Sequence, residues 1–193
     1  MLYVVGLDVV SGVAVLDNIM YVVCERSSTI RLYNTDTHSQ LDVVIDVKGM
    51  KLPRDMVVCR HDRQLYVADW DCFFSHCQCI WRVSVDDDHS YVKWLSIDST
   101  TDEFTVDTLS VTSRRLLVTS QRWWSRPPPR LRQYITTDRP QLLHDVQLPQ
   151  HMLLVYHGVE TTRGTFVVGH WGTSQQWAVS ELCSCLFFFA LML

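Results

Sequence analysis

The sequence is poor in the residues that interrupt regular structure, and it lacks the long apolar run that a membrane-spanning helix demands. Only 7 Gly and 6 Pro occur in 193 residues, which excludes collagen-like and Pro/Gly-rich low-complexity chains. The most apolar stretch, Leu182 to Leu193 with Phe187, Phe188 and Phe189 at its centre, is about a dozen residues long, whereas a helical span needs about 20. It fits a buried strand or an aberrant chain end better than a tail anchor, so no membrane partner is expected. The apolar N-terminus has no basic flank and meets Asp8 early, which fits a strand better than a secretory signal. No segment sustains a 3.6-residue apolar period long enough for a convincing helix.

Charge and chemistry are sparse as well. The formal net charge of −4 is too small to advertise a nucleic acid or a membrane surface. There is no Gly-rich phosphate loop, no Gly-x-Ser-x-Gly elbow and no His-Glu-x-x-His pair. No cofactor is expected, and a noncatalytic role leads. The 7 cysteines are an odd number in a chain far longer than most disulfide frameworks. Reduced thiols in a cytoplasmic protein are the plainer reading.

What the chain does contain is apolar, β-branched and aromatic sequence in short runs. With 47% hydrophobic and 20% charged residues it has the composition of a globular protein, and its Val, Thr, Tyr, Phe and Trp suit half-buried sheets. Those runs repeat. Four stretches superimpose: Ser11–Val15, Ile19–Val23 and Thr29–Tyr33; Pro53–Cys59, Gln64–Asp69 and Cys79–Val83; Asp107–Val111, Arg115–Thr119 and Arg130–Tyr134; His157–Glu160, Gly164–Val168 and Trp177–Ser180. Fourth strands are expected at Leu41–Ile45, Tyr91–Leu95 and Gln141–Val146. With Ser11, Asp55, Asp107 and His157 as equivalent starts, the intervals are 44, 52 and 50 residues, a period that points to propeller blades of four short antiparallel strands.

The second unit carries a family resemblance. Its Pro53, apolar strand, polar turn at His61-Asp62-Arg63, then Leu65-Tyr66-Val67-Ala68-Asp69 and a later Ile80-Trp81-Arg82-Val83 strand resemble the NHL repeat of six-bladed β-propellers. The resemblance spans roughly residues 10 to 182 and is tightest from Pro53 to Asp69. Elsewhere the turn Asp is replaced by Cys24-Glu25, Thr119-Ser120 and Gly169-His170. The expectation is an all-β, incomplete propeller of about four blades, at 10–46, 53–96, 105–146 and 152–182, forming one domain over 1–182 with an apolar tail at 183–193. Against the six blades that the family implies, four mean a fragment of a longer product, an open arc or an unusual closure, or blades supplied by a partner.

Three candidate sites follow. In a propeller the starts of the innermost strands converge on one mouth of the channel, so Ser11, Asp55, Asp107 and His157 could hold a cation or polar ligand; alternatively each caps its own strand. Cys72, His76, Cys77 and Cys79 are the densest group of soft ligands, yet the one-residue gap between Cys77 and Cys79 is shorter than structural zinc sites use. Buried thiols are the simpler account. Between Arg114 and Arg139 lie seven of the 17 basic residues and one of the 21 acidic ones, leaving 10 basic against 20 acidic elsewhere. Around the stiff Pro127-Pro128-Pro129 this segment is expected to project Arg122, Arg126, Arg130 and Arg132 beside Trp123 and Trp124, a combination suited to phosphates and stacked bases; alternatively these arginines pair with the acidic remainder.

The function expected is a noncatalytic recognition module for protein or, through residues 114–139, for RNA. The resemblance also implies the substrate-binding part of a tripartite-motif-type ubiquitin ligase, whose RING this chain lacks. A metal-dependent channel enzyme of lactonase or lyase type is the third class.

Overall fold

Fifteen short antiparallel strands, and no helix, account for the apolar runs among the described residues. The computed structural model describes residues 9–70, 77–86, 88–98, 105–120, 129–149, 151–172 and 176–182. Blade 1 is the meander β1 (Val10–Leu16), β2 (Ile19–Cys24), β3 (Thr29–Asn34) and β4 (Gln40–Asp46). Blade 2 is β5 (Pro53–Cys59), β6 (Gln64–Trp70), β7 (Cys77–Ser84) and β8 (Tyr91–Asp98). Blade 3 is β9 (Thr108–Thr112), β10 (Arg115–Ser120), β11 (Arg130–Ile135) and β12 (Gln141–Gln147). Among the described residues blade 4 has three strands, β13 (Met152–Glu160), β14 (Phe166–Gly172) and β15 (Trp177–Leu182). The chain divides into two compact units, 1–98 with blades 1 and 2, and 99–193 with blades 3 and 4.

Local chemistry explains the meanders. The first hairpin closes on the two-residue turn Asp17-Asn18, with Leu16 opposite Ile19, and the third on Ser113-Arg114, with Thr112 opposite Arg115. Asp17 and Ser113 take positive φ values of 52° and 54°, the left-handed geometry that matches the twist of two-residue hairpins. The Asn34 side chain caps the next turn by accepting the N–H groups of Asp36 and Thr37, each at 2.9 Å. Pro53 opens β5, the position in a strand where its missing N–H costs least.

Burial follows each strand's place in its blade. The second strands are buried on both faces, so Tyr21 to Cys24 and Leu65 to Ala68 show no alternation of burial. The outer strands β4 and β12 are mostly exposed. In unit 1 one face of blade 1, with Ala14, Leu16, Tyr21, Val23, Ile30 and Leu32, packs on the face of blade 2 that carries Met56, Leu65, Val67 and Trp81. Unit 2 repeats the arrangement: Leu117 and Leu131 of blade 3 pack on Val155, Phe166 and Val168 of blade 4. Within each unit the first blade thus turns one face to the second.

Candidate functional site: the blade ends and their polar anchors

Strand register decides which residues occupy equivalent positions at the blade ends. Asp55 lies opposite Ala68, and His157 opposite Gly169, each just after a bulge in the innermost strand. The residues in that same register are Gly12, opposite Val23, and Thr108, opposite Thr119. Ser11 and Asp107 therefore stand one residue before the position that Asp55 and His157 share. Ser11 is the bulge residue of β1, and its hydroxyl donates to the Val23 carbonyl at 3.4 Å. The Asp55 carboxylate accepts the N–H of Met56 at 2.8 Å. Asp107 donates its N–H to the Thr119 carbonyl at 3.0 Å and accepts the Thr105 hydroxyl at 3.3 Å. His157 is exposed on β13. Among the described residues, no three His, Cys, Asp or Glu side chains are grouped so as to hold a metal ion.

One step further along the second strand, register aligns Cys24, Asp69, Ser120 and His170, the four positions at which the sequence units diverge. Asp69 is fully buried. Its carboxylate accepts the backbone N–H groups of Lys51 at 3.1 Å and Leu52 at 2.6 Å and the Trp81 indole N–H at 2.9 Å, with the Cys79 thiol 3.9 Å away. A buried charge is tolerated when donors of this kind surround it, and these tie the segment between β4 and β5 to the sheet of blade 2. His170 takes the same place in blade 4. Its Nε2 lies 3.0 Å from the Ser180 hydroxyl, while its buried Nδ1 has no hydrogen-bond partner among the described residues.

The cysteine group resolves in part. Cys72 and His76 lie outside the described residues; Cys77 is a strand residue whose side chain also lies outside them, and Cys79 is a buried thiol beside Asp69. In the basic segment, Arg122, Trp123, Trp124 and Arg126 lie outside the described residues. Arg130 and Arg132, expected in a projecting insert, are residues of β11 whose guanidinium groups converge on one carboxylate of the neighbouring strand. Arg130 meets both Asp145 oxygens at 2.8 and 2.9 Å, and Arg132 donates Nε at 2.9 Å. Strand alternation across β11 and β12 makes this pairing, and a linear reading of charge does not reveal it.

The sequence reading also missed an aromatic cluster on blade 4. The register of β14 and β15 sets Trp171 opposite Trp177, and a bulge on β13 places Tyr156 beside them. The Tyr156 and Trp177 ring centroids are 4.3 Å apart, and those of Trp171 and Trp177 are 5.2 Å apart, nearly perpendicular. Trp177 is 59% and Tyr156 46% exposed. At the equivalent place on blade 2, the Arg54 guanidinium stacks 4.4 Å from the Trp70 ring and pairs with Glu25 at 3.1 Å. Large rings left open to water at a blade end are a surface that another molecule can cover with little loss of side-chain entropy.

No protein-family profile matches the chain, and no curated protein does. Solved structures do. The β-propeller domain of Cps50 (Swd1) from Myceliophteria thermophila superimposes with a TM-score of 0.58 at 8% identity over 91% of this chain and 51% of that one. The β-propeller domain of the Trilobed protease from Pyrococcus furiosus, described as having an open velcro topology, gives 0.58 at 14% identity over 92% of this chain and 55% of that one. The computationally designed Ika4 protein gives 0.58 at 14% identity over 92% and 94%. The chain thus spans about half the length of the two natural propeller structures. Among the described residues, meander sheets of four strands in three blades and three in the fourth, packed face to face within each unit, carry the blade architecture of an incomplete β-propeller.

Proposed function

We propose that the chain is a noncatalytic recognition module of NHL type that binds a protein partner at its blade ends. The observation that carries this reading is the cluster of Tyr156, Trp171 and Trp177, in which Tyr156 and Trp177 are exposed. Protein interfaces concentrate their binding energy in Tyr, Trp and Arg side chains near their centre, and the cluster supplies three aromatic rings on one short, sheet-supported surface. The NHL assignment is supported by the Pro53-to-Asp69 pattern and by the structural use made of Asp69. Recognition of this kind also suits the substrate-selecting part of a tripartite-motif-type ubiquitin ligase, with the RING carried elsewhere. A protein partner is favoured over RNA because, in the basic segment, Arg130 and Arg132 are both engaged by Asp145 and Arg115 by Glu160.

The test is selection of displayed peptides on the immobilised full chain, followed by titration of the enriched sequences. Tyr156→Ala and Trp177→Ala should each weaken binding by about 2 kcal/mol, roughly 30-fold. Enrichment that is identical on the doubly substituted chain would sink the reading. Tight, salt-dependent retention of single-stranded RNA in place of peptides would transfer it to nucleic acid.

A further inference from the structure

The apolar joint of blades 1 and 2 is open to water at its outer rim. Leu41, Val43 and Ile45 alternate onto the face of β4 that continues Ile30 and Leu32, the face of blade 1 packed on blade 2. Ile45 is 2% exposed and Val43 48%. On the facing side of blade 2, Lys93 lies opposite Trp81 and Tyr91 opposite Val83. Trp81 is 6% and Tyr91 36% exposed, and Lys93 is open to water. Cover therefore ends at Val43 along β4 and between β7 and β8 across blade 2. Both walls belong to one compact unit and to two complete four-stranded blades.

Register sets the two walls level. Arg31 and Trp81 hold equivalent places, opposite Val22 and Val67, as do Tyr33 and Val83, opposite Met20 and Leu65. β4 passes Arg31 at Val44 and Tyr33 at Gln40, so Leu41 and Val43 stand across from the stretch of β8 that carries Tyr91 and Lys93. Tyr91 packs edge-on to Trp81, with ring centroids 6.1 Å apart, and the Lys93 ammonium lies 5.3 Å from the centre of the Trp81 ring. Ion pairs join the blades at both ends of their second strands. Glu25 of blade 1 meets Arg54 of blade 2 at 3.1 Å, and Asp17 of blade 1 meets Arg63 of blade 2 at 3.1 Å. The shared core and these pairs set the spacing of the walls before any ligand arrives, which lowers the cost of binding.

We infer that this rim groove binds an extended peptide of a partner protein, seating apolar side chains on Leu41, Val43 and Tyr91 and a carboxylate on Lys93. Leu41 and Val43 stand two residues apart on one face, the spacing of same-side side chains in an extended chain. Charge commits the occupant to an acidic one. Among the described residues no carboxylate pairs with Lys93, and Asp42 and Asp46 alternate to the opposite face of β4. An unmatched ammonium thus borders an apolar strip, where a partner's carboxylate completes it. The groove lies in unit 1 and shares no residue with the cluster of Tyr156, Trp171 and Trp177 in unit 2, so it does not depend on that site.

The test selects random displayed peptides on the immobilised full chain carrying Tyr156→Ala and Trp177→Ala, which removes the blade-end cluster. Enriched peptides should alternate apolar residues and carry Asp or Glu; a synthetic copy is then titrated by fluorescence anisotropy. Lys93→Glu should weaken it by about tenfold or more through like-charge repulsion, and the same peptide with its acidic residue changed to Lys should regain binding to that variant. Val43→Asp should also cost about tenfold or more, since it sets a carboxylate in the apolar contact. Both positions are exposed, and an unchanged urea midpoint identifies folded variants; Lys93→Gln and Val43→Thr should act in the same direction more weakly. No enrichment, enriched peptides without acidic residues, binding unmoved by Lys93→Glu or Val43→Asp, or a charge swap without recovery would overturn the inference. Self-association of the chain, or RNA retention, that Val43→Asp abolishes in place of peptide binding would assign the groove to a second copy or to nucleic acid and overturn it equally. Binding at Tyr156 and Trp177 is read on the chain that keeps both and can fail or survive on its own.

Discussion

The indole N–H of Trp81 donates to the Asp69 carboxylate at 2.9 Å, and that same carboxylate holds the backbone of Leu52 at 2.6 Å. One buried side chain thereby fixes both the neighbouring strand β7 and the segment that enters β5. Replacing Asp69 with Ala leaves the N–H groups of Lys51, Leu52 and Trp81 short of an acceptor, and a stranded buried donor costs about 1–3 kcal/mol. Asp69→Ala should lower stability by about 3 kcal/mol or more, and Trp81→Phe, which strands no backbone group, by clearly less. Urea denaturation of the full chain reads both; a loss under about 1 kcal/mol for Asp69→Ala would show that the carboxylate is not an anchor.

Gly12 lies at the joint of blades 1 and 2. A Cβ there would stand 2.7 Å from the backbone nitrogen of Met56 and 2.9 Å from its Cβ, closer than real atoms approach. Neither obstacle is the flexible end of a side chain, so the blades must separate. Gly12→Ala should therefore destabilise the chain by about 1–3 kcal/mol. Gly164→Ala, at a turn with φ of +74° and nothing within 4 Å of its Cβ, serves as the comparison and should cost about 1 kcal/mol through backbone strain alone. Equal losses at the two sites would mean that the blade joint yields freely.

The blades were legible in the sequence because their hairpins are local. Pro53–Cys59 is the strand bounded by the polar turn on one side and Pro53 on the other, and the Asp17-Asn18 turn fixes its own register. Even the weakly patterned outer strands β4, β8 and β12 lie where the period places them. β13 is longer than expected, beginning at Met152, because its first half pairs with β14 through two bulges, around Leu153 and Tyr156, that blur alternation. The equivalence of blade starts is also displaced by one residue, at Ser11, the bulge residue of β1, and at Asp107, which precedes β9. The site was less legible, since its contacts run across strands: Tyr156 meets Trp177 through β14, and Asp145 reaches Arg132 across a strand pair. Register, not spacing along the chain, creates both.

Tyr21 gives the chain an alkaline limit. Burial pushes its phenol above the ordinary 10.0, Asp17 and Asp86 add to the push, and Arg63 opposes it. A phenol that is harder to ionise in the folded state contributes stability that is complete below the unfolded value. That contribution is lost as pH rises through 10.0 and on through the folded-state value. Denaturation midpoints should fall in this alkaline window, and Tyr21→Phe should flatten the fall. Parallel curves for the two chains would assign the alkaline loss to other groups.

Asp145 determines whether the arginines of β11 can reach a polyanion. It accepts from Arg130 and from Arg132, whose side chain is mostly buried. Asp145→Asn keeps the size of the residue and removes the charge that holds both guanidinium groups. The folded chain should lose about 1–3 kcal/mol, the usual cost when one partner of a charge-assisted hydrogen bond is taken away. At the same time local positive charge is released. Retention on single-stranded RNA at low salt should rise, and the dependence of affinity on salt should steepen by about one phosphate contact through Arg130, the more exposed of the two. Peptide binding by Tyr156 and Trp177, on another blade, should be unaffected by the substitution. If Asp145→Asn leaves RNA retention at the wild-type level while the chain stays folded, Arg130 and Arg132 serve the sheet alone, and the basic segment has no latent phosphate site on β11.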